Sequence, residues 1–253
     1  MSVIRINNHP GTCDTHGPYI ADTWAVSGKI KPTNCPTCFQ AQLEKNAVLI
    51  AEQAKRDLEE GRGLRDKQAG VPFAFKRASL DELKAPSESA ASIHRTCRQY
   101  VEGFDRVLEQ SPPMGMIFTG LPGTGKTHLA CGMVRRLLDL GKSARIVSLP
   151  SLLLELGEAS KGWGASPIGY VLDTYKKTHL LVLDEYGTHS KTDRDYQLIF
   201  DLIDGRYKNG LPTILLTNVP RARLAEELDE RVLERVKGPR GLILSFDWKS
   251  FRV

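Results

Sequence analysis

Residues 120–127 read GLPGTGKT. No other stretch of the chain constrains its fold as tightly. The run satisfies G-x-x-x-x-G-K-[ST] at each fixed position, and each position has a physical cause. Gly120, Gly123 and Gly125 let a backbone turn tightly and approach phosphate oxygens without a Cβ in the way. Pro122 and Thr124 fill the loop between them. The loop's N–H groups, and the start of the helix that follows through His128, aim partial positive charge at an anion. Lys126 adds a full charge over the β/γ oxygens of a nucleotide, and the Thr127 hydroxyl is placed for Mg²⁺. Such a loop needs a strand before it and a helix after it. Residues 114–119 (MGMIFT) supply the first and 128–140 the second.

The rest of the segment from Gly70 onward repeats that alternation. Strands are predicted at 145–148, 180–183, 213–216 and 242–246, and helices at 151–160, 168–177, 194–207 and 222–236. This pattern specifies a parallel sheet with right-handed crossovers, an α/β fold. The run at 180–185, LLVLDE, is a buried strand with two carboxylates at its C-terminal end, where open α/β sheets bind ligands. Asp184 is the candidate to hold Mg²⁺ together with Thr127. Glu185 is the candidate to polarise an attacking water. The run at 213–218, TILLTN, ends in an amide, Asn218, that could touch both the γ-phosphate and that water. Its bland alternative is a strand-to-turn asparagine. Arg231 and Arg235 share one face of a predicted helix. A cation there could complete a neighbour's nucleotide site, or it could pair locally with Glu227, four residues before Arg231.

Ahead of Gly70 the chain changes character. Residues 41–69 hold AQLEKNAVLIAEQAKRDLEEGRG, rich in helix formers. Leu43, Ala47 or Val48, Ala51 and Ala54 form an apolar stripe, and Gly61 and Gly63 are expected to end the helix. Residues 1–40 contain Cys13-x₂-His16 and Cys35-x₂-Cys38 among Gly, Pro, Asn and Thr. Two such pairs, each on a tight turn, close a tetrahedron around Zn²⁺, and four protein ligands make a structural rather than a catalytic site. A short segment with little apolar content needs such a staple. Unlinked free thiols are the alternative, and His9 is a spare ligand. Cys97 and Cys131 fall in predicted helices and read as core thiols. The expected division is thus 1–40, a zinc-binding domain; 41–69, a helical linker; and 70–253, the nucleotide-binding domain.

The net charge of +5 permits contact with nucleic acid without requiring it. No apolar run approaches a membrane span and no leader-like segment opens the chain, so a cytoplasmic protein is expected, with no membrane partner.

Taken together, GLPGTGKTHLA, LLVLDEYG, IDGRYKNGLPTILLTN and DERVLERV resemble the bacterial helicase-loader ATPases of the DnaC/DnaI group and the related IstB transposition helpers. All are AAA+ P-loop ATPases. RQYVEGFD before the first strand and SFDWKSFR near the C-terminus look like DnaC in particular. The resemblance covers residues 70–253. It implies a Walker A pair at Lys126 and Thr127, a Walker B pair at Asp184 and Glu185, and a first sensor at Asn218. It also implies an arginine finger at Arg231 or Arg235. A segment that contacts single-stranded DNA is implied at 161–177, where Trp163, Tyr170 and Tyr175 stand among Lys161, Lys176 and Lys177. DnaI-type loaders resemble this chain in bearing zinc near the N-terminus. The implied activity is ATP hydrolysis used as an assembly switch. The implied partners are a hexameric replicative helicase, single-stranded DNA and further copies of the chain joined through the ATP site. A transposition target-selection ATPase, or an adaptor that binds nucleotide without significant hydrolysis, are the competing readings.

Overall fold

The computed structural model describes residues 3–26, 29–30, 35–81, 85–161, 167–187 and 192–251. The chain divides into two units, Met1–Arg62 and Gly63–Val253.

The first unit is built on an antiparallel hairpin, β1 (Val3–Cys13) and β2 (Gly17–Val26), extended by the two-residue β3 (Lys29–Ile30). Sequence reading finds no strand here, for a physical reason. Asn7, Asn8 and Pro10 interrupt the alternation, and the structure absorbs them in a bulge between Ile6 and His9, with Asn8 at φ 53°. The long helix α1 (Pro36–Gln68) follows, with proline as its first residue. The helical span includes Gly61 and Gly63, which therefore do not end it. Its end is instead a Schellman turn at Gly70, φ 77°. There Gly70 N–H donates to the Lys67 carbonyl (3.1 Å) and Val71 N–H to the Asp66 carbonyl (2.9 Å). A Cβ on Gly70 would stand 2.1 Å from the Ile146 carbonyl oxygen, so the turn also requires glycine on steric grounds.

The second unit is a three-layer α/β fold. After a 3₁₀ turn at Phe73–Phe75 come α2 (Glu88–Glu102) and α3 (Phe104–Leu108), then β4 (Met116–Gly120), α4 (Lys126–Asp139) and β5 (Ala144–Ser148). Next are α5 (Leu149–Ser160), α6 (Ile168–Lys177), β6 (Leu180–Asp184), α7 (Asp193–Lys208) and β7 (Thr213–Thr217). A 3₁₀ turn at Arg221–Arg223, α8 (Leu224–Glu227), α9 (Glu230–Lys237) and β8 (Leu242–Phe246) complete it. The five strands run parallel in the order β5-β6-β7-β4-β8.

Both faces of the sheet are covered, which is why its strands read as unbroken apolar runs. Met116, Phe118, Leu180, Val182, Ile214 and Leu216 enter one core with α2, α3 and α4. Ile117, Leu181, Leu183 and Leu215 enter the other with α5, α6, α7 and α9. The predicted single helix at 222–236 is two helices. The chain breaks at Leu228, which is buried, and Asp229 restarts the helix by accepting from the Arg231 N–H. The i,i+4 pair expected between Glu227 and Arg231 is consequently not made. Glu227 pairs with Arg223, and Arg231 with Asp229.

Candidate functional site

The strand order puts the site together. β7 lies between β4, which leads into the glycine loop, and β6, which ends in the acid pair. The loop itself holds Gly120, Gly123 and Gly125 at φ 138°, 78° and 94°, a region that side chains resist. A Cβ on Gly120 would sit 2.3 Å from the Phe246 carbonyl oxygen. Gly125 is the N-cap of α4, so this helix points its N-terminus into the loop. Thr124 is buried and its hydroxyl donates to the Leu121 carbonyl at 2.8 Å, bracing the turn from inside. Pro122 is exposed at its crest.

Lys126 is buried, and its Nζ donates to the carbonyls of Gly120 (2.7 Å) and Leu121 (2.9 Å). The ammonium is thus held over the loop's own concavity. The Thr127 hydroxyl donates to Asp184 Oδ2 at 2.8 Å, across 57 residues of sequence. This contact joins the loop to the end of β6. The other carboxylate oxygen, Oδ1, accepts from the Glu185 N–H at 2.7 Å. Hydroxyl and carboxylate side by side are the oxygen donors that Mg²⁺ takes beside a nucleotide. His128, in the first turn of α4, meets the Phe75 ring edge-on at 6.0 Å, and burial lowers its pKa.

Glu185 has φ 59°, one of two non-glycine residues with positive φ among those described. The left-handed turn lifts its side chain out of the strand's alternation into the open. Tyr186 then re-enters the core, its N–H donating to the Leu216 carbonyl at 2.9 Å. Gly187 must be glycine, because a Cβ would meet Leu228 Cδ2 at 2.8 Å. Asn218 is exposed just past β7, between two buried neighbours. Those neighbours are fixed. Thr217 Oγ1 donates to the Tyr186 carbonyl (2.7 Å), and Thr119 Oγ1 donates to the Val219 carbonyl. The first of these bonds ties the Asn218 turn to the acid pair, and the second ties it to the strand of the glycine loop.

Three groups to which the sequence assigns no role contribute: Thr119, Thr217 and the segment after β8. In that segment Trp248 Nε1–H donates to the Thr124 carbonyl at 3.0 Å, and the Phe251 N–H donates to the Gly123 carbonyl at 2.8 Å.

The two arginines part company. Arg235 Nε donates to Asp204 Oδ1 on α7 at 2.9 Å, and its guanidinium lies 4.8 Å from the Tyr207 ring centre. Arg231 is 71% exposed, bound to Asp229 two residues before it at 2.9 Å, with its guanidinium 5.2 Å from the Phe200 ring centre. In the 161–177 stretch, Tyr170 is exposed but Tyr175 is buried, its hydroxyl donating to Glu155 at 2.8 Å. Tyr175 is therefore a core residue rather than a stacking platform. Trp163 lies outside the described residues.

In the first unit the second candidate site closes. Cys13 and His16 flank the hairpin turn, Cys35 is buried just before α1, and Cys38 is in its first turn. The four ligand atoms lie within 4.8 Å of one another. Cys13 Sγ is 3.7 Å from both His16 Nδ1 and Cys38 Sγ, and His16 Nδ1 is 3.7 Å from Cys35 Sγ and 3.3 Å from Cys38 Sγ. A tetrahedral zinc at ordinary bond lengths separates two sulfurs by about 3.8 Å and sulfur from nitrogen by about 3.6 Å. The cluster's separations of 3.3–3.7 Å lie close to those values, so its residues fit that ion. Backbone N–H groups of Thr15 and His16 hold the Cys13 thiol's pKa below its ordinary value, which favours the thiolate a metal takes. His9 is not in the cluster.

Fold and site together define a P-loop nucleotide-binding protein of the AAA+ kind, with β7 inserted between the strand of the loop and the strand of the acid pair. Comparison with known proteins agrees. Residues 111–235 match the model of the IstB-like ATP binding proteins. The replicative helicase loader DnaC of Escherichia coli (strain K12) is 29% identical over 185 residues, 73% of each chain. An uncharacterized protein of the same organism, YdaV, is 31% identical over 228 residues, 88% of this chain and 90% of that one. The crystal structure of a DnaC helicase loader superposes with a TM-score of 0.60 at 26% identity, covering 69% of this chain and 99% of the other. The chain is thus a relative of YdaV, and it is similar to the DnaC helicase loaders and, over its nucleotide-binding core, to the IstB-like ATP binding proteins.

Proposed function

We propose that the protein is an ATP-dependent loader of the replicative DNA helicase onto single-stranded DNA, acting in the cytoplasm. The observation that carries this is the bonded pair Thr127–Asp184 beside Lys126, in a fold similar over most of its length to a replicative helicase loader. The working division is a zinc-bearing segment at 1–40, a partner-binding helix at 41–69 and the ATPase domain at 70–253.

In this reading Lys126 leaves the carbonyls of Gly120 and Leu121 for the phosphate oxygens of ATP. Thr127 and Asp184 hold Mg²⁺, which when bound neutralises charge on the phosphates. Glu185 accepts a proton from the water that attacks the γ-phosphate, and Asn218 orients that water. Arg231, exposed at the start of α9, reaches the nucleotide of a neighbouring copy, whereas Arg235 is committed to Asp204 and holds α9 to α7. Cys13, His16, Cys35 and Cys38 bind a structural zinc that fastens the hairpin to the start of α1. Helix α1 presents Phe39, Leu43, Val48, Leu49, Ile50 and Leu58 exposed, the apolar surface a helicase partner would cover. Tyr170, with Lys161, Lys176 and Lys177 nearby in sequence, is the remaining candidate contact to single-stranded DNA.

The match to IstB-like proteins supports a second reading, a transposition target-selection ATPase. Recovery of a transposase and no helicase on affinity purification would favour it. The test of catalysis is steady-state ATP turnover, with and without single-stranded DNA. Glu185→Gln is expected to reduce turnover by at least about a hundredfold while leaving nucleotide binding intact. Unchanged turnover would remove catalysis from this site and leave a nucleotide-binding adaptor.

A further inference from the structure

Residues 247–251 leave β8 and cross the glycine loop. Trp248 is buried, and rings stack behind it: Phe118 to Phe246 at 5.2 Å between centres and Phe246 to Trp248 at 5.0 Å. The ladder therefore ties this segment to β4, the strand that feeds the loop. Ser89 Oγ donates to Asp247 Oδ1 at 3.4 Å, anchoring the segment's start. At its far end the Phe251 ring covers Gly125, where a Cβ would stand 3.4 Å from it.

The two hydrogen bonds to the loop go to carbonyls, those of Gly123 from the Phe251 N–H and of Thr124 from Trp248 Nε1–H. A trans peptide is planar, and its C=O and N–H point in opposite directions. Fixing the Gly123 carbonyl toward the segment turns the Thr124 N–H to the other face. Fixing the Thr124 carbonyl does the same for the Gly125 N–H. Those N–H groups are the ones a glycine loop must present to phosphate. A loop with glycines at 120, 123 and 125 has many other conformations, and ordering it on binding costs free energy.

We infer that the 247–251 segment is a strap that positions the phosphate loop, with Trp248 Nε1–H and the Phe251 backbone N–H holding two loop peptides in their phosphate-binding orientation. This rests on the loop's reading as the nucleotide site. The strap touches loop backbone and no reacting atom, so Trp248 and Phe251 are positioning residues. By linkage, nucleotide on the loop tightens the strap in return.

The probe is methylanthraniloyl-ADP with Mg²⁺, titrated by fluorescence anisotropy. Phe251→Pro deletes the backbone donor, and Trp248→Phe deletes the indole donor while keeping a ring. Each is expected to weaken binding about 5- to 10-fold, the value of one net hydrogen bond. Phe251→Ala keeps the donor and is expected to change binding less than about threefold. The urea midpoint of each nucleotide-free variant separates this from a loss of fold. On the wild-type protein, saturating Mg·ADP is expected to slow exchange of the Phe251 amide at least about fivefold. Wild-type-like affinity in both donor deletions, or an exchange rate indifferent to nucleotide, overturns the strap. Failure of the wild-type protein to bind the probe at all overturns the nucleotide-site reading beneath it.

Discussion

Arg206 is fully buried and meets no carboxylate among the described residues. Its guanidinium donates to the carbonyls of Tyr175 (2.6 Å), Thr178 (2.7 Å), His179 (3.3 Å) and Pro212 (2.6 Å), and to Thr213 Oγ1 (3.0 Å). One side chain thus closes the end of α6, the approach to β6 and the approach to β7. Burial pushes its pKa down to about 9, which still leaves it charged at neutral pH. Arg206→Met keeps the stem and removes the donors. Four carbonyls then lose their partner, at about 1 kcal/mol each or more. The desolvation cost of the guanidinium, removed with it, offsets part of this. The expected loss is about 4 kcal/mol, a large share of an ordinary domain's about 5–15 kcal/mol. Thermal unfolding of a domain this size would shift down by about 8–16 °C. Arg206→Lys keeps charge but not the fork, and should fall between. The assay is urea unfolding of the three proteins followed by far-UV circular dichroism. A loss below about 1.5 kcal/mol for Arg206→Met would refute the reasoning, since the carbonyls would then have other partners.

Two further predictions concern the assembly and the first unit. Arg231→Ala mixed with Lys126→Ala should recover part of the ATPase activity that each lacks alone, because one intact composite site can form between them. Arg235→Ala should instead lose stability, by about 1 kcal/mol for the half-exposed pair with Asp204, and give no rescue; rescue by Arg235→Ala and none by Arg231→Ala would reverse the assignment. Native mass spectrometry should find one zinc per chain. Cys35→Ser should lose it, along with order in the β1–β2 hairpin, and a metal-free protein with that hairpin protected from exchange would contradict the cluster's reading.

The α/β unit was legible in the sequence because its signals are local. LLVLD and TILLT are buried on both faces, so each is an unbroken apolar run bounded by polar turns, and periodicity marks its ends to within a residue or two. The nucleotide-loop residues and the acid pair each sit in one short motif, although only the fold brings Thr127 against Asp184. The spacing of the cysteines and His16 likewise anticipates a cluster that the hairpin and α1 then close. The N-terminal strands stayed hidden because the bulge at Asn7 and Asn8 breaks the period that reveals a strand. The break at Leu228 was hidden because helix propensity continues across it, and the buried leucine, a tertiary fact, decides it. The positive φ of Glu185 has no signal in residue type, and SFDWKSFR stands out in the sequence without showing that it grips the loop. Both depend on backbone geometry set by distant contacts.

The proposed function requires that nucleotide on this loop govern a grip on the replicative helicase. The direct measurement is a pull-down of the purified cognate hexameric helicase by this protein, with Mg·ATP, with Mg·ADP and without nucleotide, alongside Lys126→Ala. The account predicts that the amount of helicase retained depends on nucleotide for the wild-type protein and does not for Lys126→Ala. No helicase retained under any condition, with ATP binding intact, would contradict it.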